Sequence, residues 1–394
     1  MSALPEPSPE QKTHSLKLQR LIVDGIRENA GRIGFDRYMT QALYQPGLGY
    51  YAAGSQKFGA TGDFITSPEI SPLFAQAIAR QLKQVMAELN DPLLIEFGAG
   101  SGVLAADLLL ELEALQSLPE EYWIVELSAD LQQRQQATIE KRCPHLLKQV
   151  RWVQQLPETA VNAVVIANEV LDAMPVIGFE KHNGELFERK IAETEGQLHW
   201  ELTVASEELT ATVAEIEAST EQTLPANYRS EYNPSLLPWL KTLSALVNKG
   251  LVLLVDYGYD AKQYYSHERD MGTMMCYYRH RAHDDVFFYP GLQDITAFVD
   301  FTAVAEAAFK TGWDVMGYTA QAQFLFGCGL AEIFESKRSA LAEDDVRQQL
   351  HLSQQVKTLT LPSEMGERFK VMALGKDLEP GLIGFSQADF RSRL

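Results

Sequence analysis

Three glycines at alternate positions follow an acid in the run Leu93-Leu94-Ile95-Glu96-Phe97-Gly98-Ala99-Gly100-Ser101-Gly102. Glycine at such a turn permits positive φ and lets the backbone approach a ligand closely. A second acid, Glu126, lies 24 residues beyond Gly102 and ends the apolar run Tyr122-Trp123-Ile124-Val125. A carboxylate placed there can accept both hydroxyls of a ribose, so the pair of features reads as a nucleoside-binding unit. A dinucleotide fingerprint needs its third glycine at position 103, which is valine, and no Lys or Arg between Leu93 and Leu118 offers a clamp to a pyrophosphate. Glu96 repels phosphate but suits a cationic ligand. S-adenosylmethionine meets these conditions, since it carries a ribose, an ammonium and a sulfonium and no phosphate. The bland alternative is an ordinary tight turn; strand, turn, helix, strand and terminal acid in succession favour the ligand.

A second constellation, Asn168-Glu169-Val170-Leu171-Asp172-Ala173-Met174-Pro175, directly follows the apolar run Ala163–Ala167. Glu169 and Asp172, three residues apart in a turn, can converge on one pocket. Paired carboxylates match the planar fork of donors on a guanidinium. A capping acid beside a solvated one is the competing reading. Asn168, opening the turn, is expected on the donor side. The stretch Pro46–Glu69 is rich in glycine and aromatic residues and reads as a lid or channel wall, a common use of long loops. It brings Gly62, Asp63 and Thr66 to the donor's methionine end and offers Glu69 as a further catalytic carboxylate. Asp256-Tyr257 ends another apolar strand and is expected to line the substrate cleft, with strand-end capping as the alternative. His280 and His283 form an H-x-x-H pair without a carboxylate or cysteine framework, which places His280 in a substrate pocket or a structural role and predicts no metal. The N-P-P-Y motif of nucleic-acid amino-methyltransferases is not matched, because both prolines and the aromatic are missing after Asn168.

These groups need a scaffold of alternating elements. The pattern predicts strands at 93–97, 121–126, 150–153, 161–167 and 251–255, with helices over 102–116 and 129–142. Alternation of this kind implies a parallel sheet with helices on both faces. Upstream, helices are predicted over 15–30, 35–44 and from Ser71-Pro72 to about Asn90, after a disordered tail at 1–12. Residues 176–205 form three β runs punctuated by Asn183-Gly184 and Glu195-Gly196, a meander, with helices at 207–219 and 234–248. Residues 260–300 show few clear elements; a helix at 301–311 and closing strands at 313–318 and 369–374 follow. The expected division is 1–78, holding tail, helices and lid, and 79–394, the core with insertions at about 176–248 and 260–300.

Composition narrows the partners. Fifty-three acidic against 34 basic residues give a net charge of −19, which argues against nucleic acid. Cys143, Cys276 and Cys328 are odd in number and in no metal-ligand spacing, as in a reducing compartment. No apolar stretch reaches transmembrane length, and the start lacks signal- or transit-peptide character, so the cytoplasm is the expected location.

Taken together, Glu96–Gly102, Glu126-Leu127-Ser128, Asn168–Pro175, Gly62–Glu69, Asp256–Tyr259, Pro290–Thr296 with Val299-Asp300-Phe301, Gln321–Leu325 and Met365–Val371 occur in the order found in one family. The chain resembles the MidA-like methyltransferases, bacterial relatives of the mitochondrial protein-arginine methyltransferase that assists respiratory complex I assembly. The resemblance spans roughly residues 32–375. It implies a Rossmann-like class I methyltransferase fold with a seven-stranded sheet, S-adenosylmethionine as donor and S-adenosylhomocysteine as product. It also implies arginine methylation of a partner protein, a respiratory-complex or other client subunit, symmetric on the terminal nitrogens for the mitochondrial member. Ala99, Ser101 and Met274-Met275-Cys276 depart from the family pattern and bear on substrate identity. The rival readings are a non-catalytic assembly factor that keeps the cofactor fold, and an enzyme acting on a small-molecule hydroxyl or carboxyl group. The sequence leaves the oligomeric state open, a homodimer included.

Overall fold

The computed structural model describes residues 4–53, 66–342 and 344–394. Gly62 and Asp63, expected at the donor's methionine end, lie outside the described residues. The chain forms two compact units, one of Met1–Phe64, Asp172–Leu236 and Tyr259–Ala303, the other of Ile65–Leu171, Leu237–Gly258 and Val304–Leu394. The expected boundary at 78 falls inside the helix Pro72–Met86, whose apolar face Leu73, Phe74, Ile78, Leu82 and Val85 belongs to the second unit's core. The predicted insertions at 176–248 and 260–300 mostly join the N-terminal segment in the first unit, while Leu237–Leu246 stays with the sheet.

The second unit is built on seven strands: β1 (Leu93–Phe97), β2 (Glu121–Val125), β3 (Val150–Val153), β4 (Val161–Asn168), β5 (Val247–Tyr259), β6 (Asp314–Ala320) and β7 (Phe369–Lys376). They pair in the order β3-β2-β1-β4-β5-β7-β6. The first five run parallel, and β7 is antiparallel to both β5 and β6. The central strands are apolar on both faces, as burial under two helical layers demands. Leu94, Val164, Ile166, Leu251 and Leu253 point to one face, against Pro72–Met86 and the helix Val103–Ala114. Ile95, Val165, Val252 and Leu254 alternate with them and are equally inaccessible to water. Each such side chain contributes about 1.5–3 kcal/mol by leaving water. The chain leaves β1 towards β2 on one side and continues from β4 to β5 on the other, so the order reverses at β1 and β4. In open α/β sheets a ligand crevice forms at the carboxyl ends of the strands flanking that reversal.

The first unit is antiparallel. Ile177–His182, Glu185–Thr194 and Gln197–Val204 form the predicted meander, extended by Tyr228–Tyr232 beside the first strand and by the short Arg32–Gly34 beside the second. Leu18, Ile22 and Ile26 of the helix Pro9–Glu28 pack with Phe35, Tyr38 and Met39 of the helix Phe35–Tyr44 and with Ile191. The N-terminal helix starts at Pro9, inside the stretch expected to be a tail. Ser8 caps it through a reciprocal bond pair with Gln11, and Pro9 takes the first turn. Residues 260–300 also correct the sequence reading, since Arg281–His283, Met275–Tyr278 and Asp294–Thr296 make a small three-stranded sheet. Strands of three or four residues are too short for alternation to reveal. Among the described residues no helix is long and apolar enough to cross a membrane.

Candidate active site

At the end of β1, Gly98, Gly100 and Gly102 have φ of 66°, 51° and 81°, all left-handed. A Cβ at Gly98 would lie 2.9 Å from Val170 Cγ2, and one at Gly102 would lie 2.8 Å from the Gln135 Cα. Both conformation and space therefore require glycine at these two positions. Gly102 is the N-cap of Val103–Ala114 and offers no side chain to the first turn, so backbone N–H groups and the positive end of the helix dipole stay open at the turn.

Glu96 is buried at the end of β1 and accepts a hydrogen bond from the Tyr122 hydroxyl at 2.7 Å. Burial pushes its carboxyl up to about 7, against the opposing effect of Tyr122. Glu126, just past β2, accepts from the Ser128 backbone N–H at 2.8 Å on one oxygen and from Gln135 Nε2 at 3.0 Å on the other. Burial raises its pKa, and the bonds from Ser128 and Gln135 oppose that rise. Glu69 lies on the one-turn helix Ser67–Ile70, with Thr66 as its N-cap, and accepts a hydrogen bond from the Ser101 hydroxyl between the second and third glycines. Ser67 in turn donates to Gln321 at 3.1 Å, which ties this helical turn to the C-terminal part of the same unit.

The turn after β4 starts from Asn168, which is mostly buried and donates to Glu169 Oε1 at 3.3 Å. Its own Oδ1 is buried without a hydrogen-bond donor. Glu169 has φ of 53°, an uncommon conformation for a residue with a Cβ, held by a bond from its N–H to the Val255 carbonyl at 2.8 Å. Asp256 is fully buried. Its carboxylate accepts from the Leu171 N–H at 3.0 Å and from the Tyr257 N–H at 2.9 Å, a capping geometry that fixes the turn following Glu169. Tyr257 is partly buried, edge-on to Phe369 with ring centroids 5.5 Å apart.

Glu69, Glu96, the glycines, Glu126, Asn168, Glu169, Asp256 and Tyr257 thus belong to the parallel-sheet unit, whereas Asp172 and His280 belong to the antiparallel one. Asp172 is buried there, and its carbonyl accepts from the Ala297 N–H at 2.9 Å. Nearby, the Tyr51 hydroxyl donates to both oxygens of Asp294 at 2.9 Å. Burial, then Asp294, Tyr44 and Asp172, hold the Tyr51 hydroxyl far above its ordinary pKa. His280 is exposed in the turn between Met275–Tyr278 and Arg281–His283, at φ of 60°. Among the described residues no group of three or more His, Cys, Asp or Glu is arranged to hold a metal ion. Two groups at the turn escaped sequence reasoning. Ser101 reads as a plain spacer, and Gln135 sits on the stripe Leu131, Gln135, Ile139 that the helix Ala129–Arg142 buries. A glutamine on an otherwise apolar stripe was the available signal.

Comparison with known proteins points to the same cofactor class. Residues 73–319 match the family described as "Putative S-adenosyl-L-methionine-dependent methyltransferase". The chain is 27% identical over 376 residues to the mouse mitochondrial protein arginine methyltransferase NDUFAF7, covering 88% of this chain and 82% of that protein. Its human counterpart is 28% identical over 376 residues, with 88% and 81% covered. A Burkholderia thailandensis protein whose crystal structure holds S-adenosyl-homocysteine superposes with a TM-score of 0.93, at 38% identity and full coverage of both chains. S-adenosylmethionine is accordingly the cofactor. The residues present fit it: left-handed glycines leading into a helix N-terminus with no side-chain cap, a buried Asn168 oxygen without a donor, and acids with no basic residue from Leu93 to Leu118. The chain belongs to this family of S-adenosylmethionine-dependent methyltransferases, the MidA-like group.

Proposed function

We propose that this enzyme methylates arginine in a partner protein, with Glu169 as the carboxylate that meets the guanidinium. The observation that carries the reading is the strained conformation of Glu169, held at φ of 53° on the turn that leaves β4, the strand paired with β1, which the glycine turn follows. Strain of this kind costs of order 1–3 kcal/mol and is commonly retained where a side chain must be aimed. The relatives named as protein arginine methyltransferases support the same substrate class.

In this reading Glu126 takes the ribose hydroxyls of the donor, and the Gly98–Gly102 turn admits its adenosine. Glu96, Asn168 and Thr66 attend its methionine end. When bound, S-adenosylmethionine supplies an electrophilic methyl on a sulfonium. The nucleophile's nitrogen forms a bond to that carbon as the carbon–sulfur bond breaks, and alignment of the three atoms supplies much of the rate. Free guanidinium has a pKa of about 12.5–13.8, so its nitrogen lone pair is delocalised and poorly nucleophilic. Glu169, with Asp172 three residues on, orients the cation and accepts the proton lost on transfer. Glu69 is the next candidate for that proton, through its contact with Ser101. Asp256 and Tyr257 shape the substrate side by fixing the turn, and His280 is a candidate substrate contact.

The test is transfer of labelled methyl from the donor to proteins of a cell extract, with mass spectrometry of the products. Label on arginine terminal nitrogens supports the proposal. Label confined to small molecules overturns the substrate class, and donor binding without transfer to any acceptor leaves the assembly-factor reading.

A further inference from the structure

We infer that Gln135 is a positioning residue for the donor: it locks Glu126 and the glycine turn into one ribose-reading unit. This inference rests on the reading that Glu126 receives the ribose. Gln135 is fully buried on the helix Ala129–Arg142. Its Nε2 donates to Glu126 Oε2 at 3.0 Å and to the Gly100 carbonyl at 3.2 Å. Its Oε1 accepts from the Trp152 indole Nε1 at 2.9 Å.

The chemistry of the three partners leaves one amide orientation. An indole N–H only donates, whereas a carboxylate and a carbonyl only accept, so the amide oxygen must face Trp152 and its NH₂ the other two. A carboxylate rotamer near a strand end is otherwise free to turn, and holding each oxygen by one internal donor aims the remaining lone pairs at one place. The Ser128 N–H holds Oε1 and Gln135 holds Oε2. The second N–H of the same amide reaches the middle glycine, which fixes the separation between acid and turn. Backbone contact reinforces this, because the Gln135 Cα lies only 2.8 Å from where a Gly102 Cβ would stand. The bond from Gln135 also opposes the rise that burial imposes on the Glu126 pKa. Gln132 adds a bond from its Nε2 to the Glu126 carbonyl at 2.7 Å, so two successive turns of one helix brace the acid.

Two substitutions separate positioning from simple packing. Gln135→Met keeps length and volume but removes both donors; Trp152→Phe keeps an aromatic ring but releases the amide. The probes are S-adenosylhomocysteine and its 2′,3′-dideoxy analogue, measured by calorimetry at pH 7.5 on the whole chain. Wild type should prefer the hydroxylated ligand strongly. Gln135→Met should lose roughly tenfold to a hundredfold in affinity for S-adenosylhomocysteine, the range for a hydrogen bond to a charged group, and less than about threefold for the analogue. Trp152→Phe should act in the same direction and more weakly. An equal loss for both ligands in Gln135→Met would make the residue merely structural and overturn the inference. A wild type indifferent to the hydroxyls would instead overturn the role of Glu126. If Gln135→Met fails to fold, the ligand ratio in Trp152→Phe decides, an unchanged ratio counting against the inference.

Discussion

Both units of this chain use the left-handed backbone, and two groups of such residues differ in what they do to the chain. In the antiparallel unit three adjacent pairs, Asn183-Gly184, Glu195-Gly196 and Arg279-His280, each close a two-residue hairpin. Two positive φ values in succession match the twist of the flanking strands, and the chain simply reverses. In the parallel-sheet unit Gly98, Gly100, Gly102 and Glu169 adopt the same conformation singly, in the turns that follow strands β1 and β4. There the strand does not reverse, and the turns leave backbone donors and side chains at the carboxyl edge of the sheet. On the proposed reading of the site, one conformation reverses the chain at the hairpins and opens a donor site at the strand ends. Substitutions at equivalent conformations should then lose different things.

The largest effect is expected at Gly100. Its φ of 51° penalises a β-branched side chain heavily, and its carbonyl is tied to Gln135. Gly100→Val should weaken S-adenosylhomocysteine binding by more than about a hundredfold while the antiparallel unit keeps its far-ultraviolet signature. Calorimetry showing undiminished binding would break the assignment of this turn to the donor. NAD should not bind to either protein, since the turn lacks a phosphate clamp.

Next comes Glu169, which separates chemistry from binding within the same unit. Glu169→Gln keeps size and backbone but removes the charge, so donor affinity should change less than about threefold. Methyl transfer should fall by roughly 10²–10⁴-fold, as when a positioned acid–base group is lost. Asp172→Asn should lower transfer too, and the double variant should be less than additive if the pair acts as a unit. Full transfer by Glu169→Gln on an identified protein acceptor would remove this carboxylate from the mechanism.

The same comparison explains what the sequence made legible. Strands β1, β2 and β4 announce themselves because the residues buried on both faces of the sheet form continuous apolar runs, whereas β3, with exposed Arg151, is read only from its place in the alternation. The meander was visible through Asn183-Gly184 and Glu195-Gly196, whose residue types carry the turn conformation. What stayed hidden depends on tertiary contacts. That Met1–Phe64, Asp172–Leu236 and Tyr259–Ala303 form one unit follows from packing such as Leu18 and Ile22 with Ile191, which no local pattern encodes. The hairpin at Arg279-His280 was missed because neither residue is a usual turn former. At the site the glycines and Glu126 were readable from spacing, while Gln135 needed the helix to bring it back to a turn 35 residues earlier. The two roles open to Asp256, lining or capping, were indistinguishable from its position alone; its bonds to two backbone N–H groups describe the cap.

A moderate effect is expected from pH, and it acts on the parallel-sheet unit. The Glu96 carboxyl sits at about 7 in the folded chain, above its ordinary value near 4.5, because it is buried. Between those values the folded state binds more protons at this group than the unfolded one, so the contribution of Glu96 to stability is fully present below about 4.5 and is lost as pH rises through 7. The shift corresponds to an upper bound of about 3 kcal/mol. Glu96→Gln cannot ionise, so its stability should vary less between pH 5 and 8 than that of the wild type. Denaturant melts across that range check the difference, and parallel pH profiles for the two proteins would contradict it.

The smallest effect should come from Gly184 in the first hairpin, and it completes the contrast. Its φ is 86°, close to the 81° of Gly102, but a Cβ at Gly184 would meet nothing within 4 Å. Gly184→Ala therefore tests backbone conformation alone, and the cost should be about 1 kcal/mol, read as a lower denaturant midpoint with an unchanged slope. Donor affinity and methyl transfer should stay at wild-type levels, because the hairpin turn belongs to the antiparallel unit and reverses the chain without presenting a ligand. Gly102→Ala carries the same backbone penalty but also drives a methyl towards the Gln135 Cα at 2.8 Å, which cannot swing away as a side chain could. It should displace the helix that braces Glu126 and lower donor affinity at least tenfold. Equal loss of donor affinity in the two variants would mean that the left-handed residues of the two units do not divide between folding and binding.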